Sequence, residues 1–199
     1  MDAWQIVFAL LMGFSLAATC GLRAFLPLLI IGIGARADLV TLSQGFDWMQ
    51  SYPALICFGT AALLEILGDK IPAVDHALDA GGVFVRPIAG AIAASSLIKG
   101  FDPLMTVVIG IIIGSGIAGI VHWMKGTLRL LSSATTAGLA NPAISVAEDG
   151  AVAAGGIMGL FFPYVVGLVA IVLLIVGGRI VLSEIRRKKK GKERAQVIS

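Results

Sequence analysis

ALLEILGDKIPAVDHALDAGG, residues 62–82, decides the fold of this chain. It begins inside an apolar run and then places Glu65, Asp69, Asp75, His76 and Asp79 within fifteen residues. Glu65 follows LICFGTAALL, a segment fit for lipid. A lone carboxylate at the centre of a bilayer costs about 2.5–3.5 kcal/mol on insertion scales. Such an acid must face the inside of a helix bundle and find a partner there. Glu65 and Asp69 are four residues apart, so they share one helix face.

The rest of the chain supports a membrane setting. Of its 199 residues 58% are hydrophobic and 14% charged, whereas soluble domains are about a quarter charged. The mean hydropathy is +0.97. The expected fold class is all-α, a polytopic transmembrane helix bundle formed by residues 1–185, with residues 186–199 as a disordered tail. The net charge of +3 hides an asymmetry: Arg186 to Arg194 holds seven basic residues and one acid. A basic tail beside the last apolar run reads as a cytoplasmic anchor that attracts anionic membrane lipid. No aromatics interleave with it, which argues against nucleic-acid binding. The first basic residue is Arg23, so a cleavable signal peptide is not expected. Cys20 and Cys57 both lie in apolar runs and read as packing residues rather than as a disulfide or metal pair.

Five apolar regions are candidate spans: 4–35, 53–69, 83–98, 104–124 and 146–182. The first is interrupted by Cys20-Gly21, Arg23 and Pro27, the last by Gly155-Gly156 and Pro163. With the first region crossing once from the cytoplasm, Lys70, Arg86, Lys125 and Arg129 fall inside, and Arg36 and Lys99 outside. Returning the tail to the cytoplasm needs two arms after Lys125, one ending near Phe162 and one from Pro163 to Leu182. The expectation is six crossings with both termini cytoplasmic. Segment 36–52 reads as an external loop.

AATCGL at 17–22 resembles ATTAGL at 134–139, and each is followed by a proline, Pro27 or Pro142. Small residues followed by proline break a helix, and transporters place such breaks at corresponding positions in two halves. A two-half internal repeat is therefore expected. AVDHALDAGG reads as a short surface helix, closed by Gly81-Gly82, with Asp75, His76 and Asp79 on its polar side. In the second half, His122 ends one span, and Asn141, Ser145, Glu148 and Asp149 begin another. Arg23 and Arg86 stand ready to neutralise acids or to hold an anion. Gly110, Gly114 and Gly119 offer a small-residue face for a homodimer or for packing within one chain.

GLRAFLPLLIIGIGAR, LLEILGDKIPAVDHALD, VRPIAGAI and ANPAISVAED together resemble a family of bacterial integral membrane proteins, the domain of unknown function numbered 4126. The resemblance covers the chain to about residue 182. It implies a multi-helix protein of the bacterial cytoplasmic (inner) membrane, with no assigned activity. EILGDK also resembles the E-x-G-D-[KR]-[ST] signature of cation/proton antiporters, with one extra residue and Ile71 in place of the final Ser or Thr. DHALD resembles the end of the CDP-alcohol phosphotransferase motif but lacks the upstream glycine, because residue 71 is Ile.

Three functions follow. A proton- or cation-coupled transporter of a small solute or ion would line its path with Glu65, Asp69, Arg23, Arg86, Asn141, Glu148 and Asp149. His76 or His122 would relay protons. A membrane enzyme acting on a lipid phosphate would gather Asp69, Asp75, Asp79 and a histidine around a divalent cation. A non-catalytic scaffold would pair each acid with a base. The transporter is the preferred expectation.

Overall fold

A computed structural model gives the architecture of residues 2–136, 139–176 and 178–179, except for the side chains of residues 72, 73, 75 and 76. Seven α-helices make up this part: α1 (Ala3–Leu22), α2 (Phe25–Arg36), α3 (Tyr52–Gly68), α4 (Pro72–Leu97), α5 (Pro103–Thr136), α6 (Asn141–Phe161) and α7 (Pro163–Val176). No strand occurs among the described residues. Four helices, or parts of them, are long and apolar enough to cross a membrane: Ala3–Leu22, Ala77–Leu97, Pro103–Thr136 and Asn141–Phe161. The basic tail, residues 186–199, lies outside the described residues.

Local chemistry sets the helix boundaries. Ser51 caps α3 by accepting from the Ala54 amide, with Pro53 in the first turn. Asp102 does the same for α5, accepting from the Leu104 and Met105 amides ahead of Pro103. α1 ends where Arg23 becomes extended (φ −136°, ψ 128°). No side chain of its own caps α2. Glu65 of α3 supplies the cap instead, accepting from the amides of Ala24 at 3.0 Å and Phe25 at 3.3 Å. A carboxylate at a helix start satisfies orphan amides and complements the helix dipole.

The break at Arg23 changes the topology expected from sequence. Along α6, Gly155 packs on Thr19 and Gly159 on Leu16 and Ser15, so α6 runs antiparallel to α1. Over the same turns Gly156 packs on Ile30 and Gly34 on Leu160, so α6 runs parallel to α2. The first apolar region is therefore a hairpin, not one crossing, and Arg36 returns toward the end from which α1 starts. The start of α1 and the Lys70, Arg86, Lys125 and Arg129 cluster lie at opposite ends of the bundle.

Two other expectations change. AVDHALDAGG is not a separate surface helix: it forms the first turns of α4, which continues through Gly81-Gly82 and Pro87 to Leu97. Neighbouring helices replace what glycine and proline remove, as inside membrane proteins generally. The repeated segments also differ in setting. Residues 17–22 form the end of α1, mostly buried, whereas Ala134–Thr136 are exposed at the tip of α5 and residues 137–138 lie outside the described residues. The described structure lends the internal repeat no support.

The core surrounds α1, with Leu16, Cys20, Ala24, Leu28, Ile31, Met49, Ala89, Ala93, Leu97, Ala118 and Leu160 buried together. Lipid gives little hydrophobic drive for helix association, so close backbone approach carries the packing. A Cβ on Gly114 would sit 2.2 Å from the Gly90 carbonyl oxygen, and one on Gly110 only 2.6 Å from the Ser95 Cα. Gly110 and Gly114 are thus spent on α4 of the same chain. There α5 takes a π-helical turn over Ile111–Ser115. After Phe162 the chain turns sharply: Val166 comes within 4.0 Å of where a Cβ on Gly159 would stand. Residues seven apart in a straight helix are separated by about 10.5 Å along its axis. The arm expected to end near Phe162 is present as α6; of the arm expected from Pro163 to Leu182, α7 covers Pro163–Val176, and residues 180–182 lie outside the described residues.

Candidate functional site

Among the described residues, five acids and five bases converge where α1 breaks, drawn from the α1–α2 break, α3 and its end, α4, α5 and α6. Arg23, fully buried, reaches Asp69 at 2.7 Å and Asp149 at 2.5 Å, and donates to the Glu65 carbonyl oxygen at 2.9 Å. Arg129 is the hub. Its guanidinium lies 3.1 Å from Asp69, 3.3 Å from Asp79 and 3.2 Å from Glu148. Lys125 adds a second contact to Glu148 at 3.0 Å and donates to the Leu22 carbonyl at 3.2 Å, the last residue of α1. Arg86 lies 3.2 Å from Asp79 and 4.0 Å from Glu65. Lys70 closes the set on Asp149 at 3.4 Å and donates to the Ser145 hydroxyl at 2.9 Å.

Among the described side chains five acids face five bases, and all but Lys70, Asp79 and Asp149 are withdrawn from solvent. Each acid has a base within 4.0 Å. Burying ions so extensively is a weak source of net stability, because desolvation offsets the Coulomb gain. Removing one partner alone strands a buried charge. Glycine makes the fit possible at one point: a Cβ on Gly82 would lie 3.1 Å from Nε of Arg86 and 3.3 Å from the His122 ring.

A cleft adjoins the network between α4 and α5. It has a volume of about 530 Å³ and is lined by Asp79, Val83, His122, Trp123, Gly126 and Arg129 among others, with Asn141 at its end. His122 turns Nδ1 to the Arg86 guanidinium. A guanidinium only donates, so Nδ1 is the acceptor in that contact. Asn141 donates to the Ser133 hydroxyl at 3.1 Å.

Of the residues singled out from sequence, Glu65, Asp69, Arg23, Arg86, Glu148 and Asp149 come together in the network. Asn141 and His122 line the cleft instead. Asp79, about a quarter exposed, joins the network through Arg86 and Arg129. The side chains of Asp75 and His76 lie outside the described residues. Among the described residues no group of three His, Cys, Asp or Glu side chains is placed to hold a metal ion; guanidinium and ammonium groups stand beside the acids. Sequence reasoning used Lys125 and Arg129 only as markers of orientation. Their four-residue spacing at the end of an apolar run was the signal that both face inward together.

No curated protein and no solved structure matches the chain. The family model described as Domain of unknown function (DUF4126) matches residues 10–182, which takes in every charged residue of the network. This chain, a helical protein with membrane-spanning character built around a buried charge network, belongs to that family.

Proposed function

We propose that the protein is a small membrane transporter whose path runs through the charge network, with proton or ion coupling. The observation that carries this is the network itself: ten described acidic and basic side chains, seven of them buried, at a helix break beside a cleft. Ionisable groups within a membrane protein's interior are functional by default because apolar packing there is cheaper. Arg129 contacts three acids and Arg23 two. A proton or ion arriving at one acid thus releases a base to another, which is how a network of shared partners changes state. His122 sits at the cleft end of it.

In this proposal seven helical segments, α1 to α7, cross the bacterial inner membrane, with the short α2, α3 and α7 completing the path. The end rich in Lys70, Arg86, Lys125 and Arg129 is cytoplasmic by charge bias. α1 is about 30 Å long at 1.5 Å per residue, so the N-terminus lies on the outer side. The sharp turn at Phe162 lets α7 return the basic tail to the cytoplasm.

Complete pairing of the acids favours a second reading, a scaffold held by structural ion pairs. Proteoliposomes carrying an internal pH dye separate the two. Solutes and cations are applied outside wild type, Asp79→Asn and Glu148→Gln. Solute-dependent proton movement that vanishes in both variants, with folding intact, supports transport. Identical traces from all three proteins for every solute would leave the scaffold.

A further inference from the structure

We infer that the break between α6 and α7 holds a monovalent alkali cation such as sodium, bound by the Ser15 hydroxyl and by backbone carbonyl oxygens of the break. The site stands apart from the charge network and does not rest on the transport reading. Ser15 is fully buried. It lies about 10 Å from the Leu22 end of α1 and about 18 Å from the Ala3 end, deep within a helix long enough to span a bilayer. Its Oγ is 2.7 Å from the Leu11 carbonyl oxygen and 3.3 Å from that of Pro163, itself a buried residue. A hydroxyl carries one proton and two lone pairs. The shorter contact, to Leu11 of the same helix, takes that proton. Oγ and the Pro163 oxygen then face each other with no hydrogen between them, an arrangement that a shared cation relieves.

A second carbonyl at the break lacks its helical donor. α6 ends at Phe161, and Pro163 follows. In a continuing helix the Gly159 carbonyl would accept from the amide of residue 163, but proline has none. Gly159 is buried beside Ser15: a Cβ on it would lie 3.4 Å from the Ser15 Cβ. A Cβ on Gly167 of α7 would lie 3.4 Å from Oγ itself. Glycine at both positions lets backbone come close to the hydroxyl. The last carbonyls of α6 also form the negative end of its dipole. Broken membrane helices use such carbonyls and helix ends to coordinate small cations.

The ligand set chooses the ion. It is all oxygen, which suits a hard cation. It is also neutral. A divalent ion would bring two charges into an apolar interior with no carboxylate among its ligands, whereas one charge shared by several oxygens is far less costly to bury.

The purified full chain is unfolded by heat in mild detergent, in sodium, potassium or choline chloride of equal concentration. Sodium or potassium is expected to raise the wild-type midpoint above its value in choline, because an ion that binds only the folded chain stabilises it. Ser15→Ala removes the hydroxyl and should raise the half-saturating alkali concentration about tenfold, a change of about 1.4 kcal/mol in affinity. Thr19, one turn away, keeps its hydroxyl on the Leu16 carbonyl at 2.7 Å, so Thr19→Ala should leave the alkali response unchanged. Should Ser15→Ala fail to fold, Ser15→Cys keeps the side-chain shape and replaces a hard oxygen with a soft sulfur, with the same loss expected. Equal wild-type midpoints in all three salts, or an alkali response of equal size in wild type and the Ser15 variant, would each overturn the inference and leave the transport reading standing. Alkali binding by a protein that moves no solute supports the inference and removes only the transport reading.

Discussion

Arg23 illustrates what one residue does here. It ends α1, donates to the carbonyl of Glu65 and holds two carboxylates from other helices. Removing its charge with Arg23→Gln leaves Asp149 with only the partly exposed Lys70 at 3.4 Å. Breaking a buried pair from one side typically costs about 3–5 kcal/mol. The expected outcome is a loss of that order in a denaturant titration in detergent. Adding Asp149→Asn should restore part of it, so the double variant is less destabilised than the sum of the singles. Glu65 has a different task, because it caps α2 from a neighbouring helix. Glu65 serves the Ala24 and Phe25 amides with separate oxygens, so Glu65→Gln keeps an acceptor for one of them, whereas Glu65→Ala removes both and costs about 0.5–2 kcal/mol of lost capping. Hydrogen exchange should quicken at both amides in the alanine variant and at one of them in the glutamine variant.

Among the elements, the α4–α5 contact is the least tolerant. Gly114→Val would drive a side chain into the Gly90 carbonyl, an atom of the backbone that has no rotamer to change. Overpacking of this kind costs about 1–3 kcal/mol even where side chains can yield. Gly114→Val should therefore lower thermal stability in detergent clearly, while Gly116→Val, at an open position two residues on, should change it little. A comparable loss in both would remove close approach as the reason for glycine at 114. The same contact accounts for α4 itself. Gly81-Gly82 looked like a helix end in sequence, but Gly82 is where the Arg86 guanidinium and the His122 ring need space. Tertiary packing overrode the local stop signal.

For the whole molecule, the hairpin of α1 and α2 sets which groups share an end. The loop containing Gln44 and the tip of α5 containing Thr135 lie at opposite ends of the bundle, and both residues are exposed. In a background without Cys20 and Cys57, Gln44→Cys and Thr135→Cys in sealed vesicles should react with an impermeant thiol reagent from opposite sides. Asp2→Cys, exposed at the start of α1, should label from the side of Gln44→Cys, and labelling from the side of Thr135→Cys would remove the hairpin topology.

Much of this was legible in the sequence, with definite limits. Composition and long apolar runs together pointed to a helical membrane bundle, since a run of about 20 apolar residues pairs its own backbone groups in lipid only as a helix. The isolated carboxylates of residues 62–82 required inward-facing partners for the same reason, and Glu65 and Asp69 have them. Proline after a small-residue run marked the break at Arg23, and Pro163 marked the turn between α6 and α7. What only the tertiary structure decided was direction and partnership. A helix break in sequence does not say whether the next segment continues or turns back; packing of α2 against α3 and α6 made it turn. Nor does spacing say which base meets which acid when ten charges come from separate helices, because Coulomb attraction is blind to chain order and geometry alone assigns the pairs.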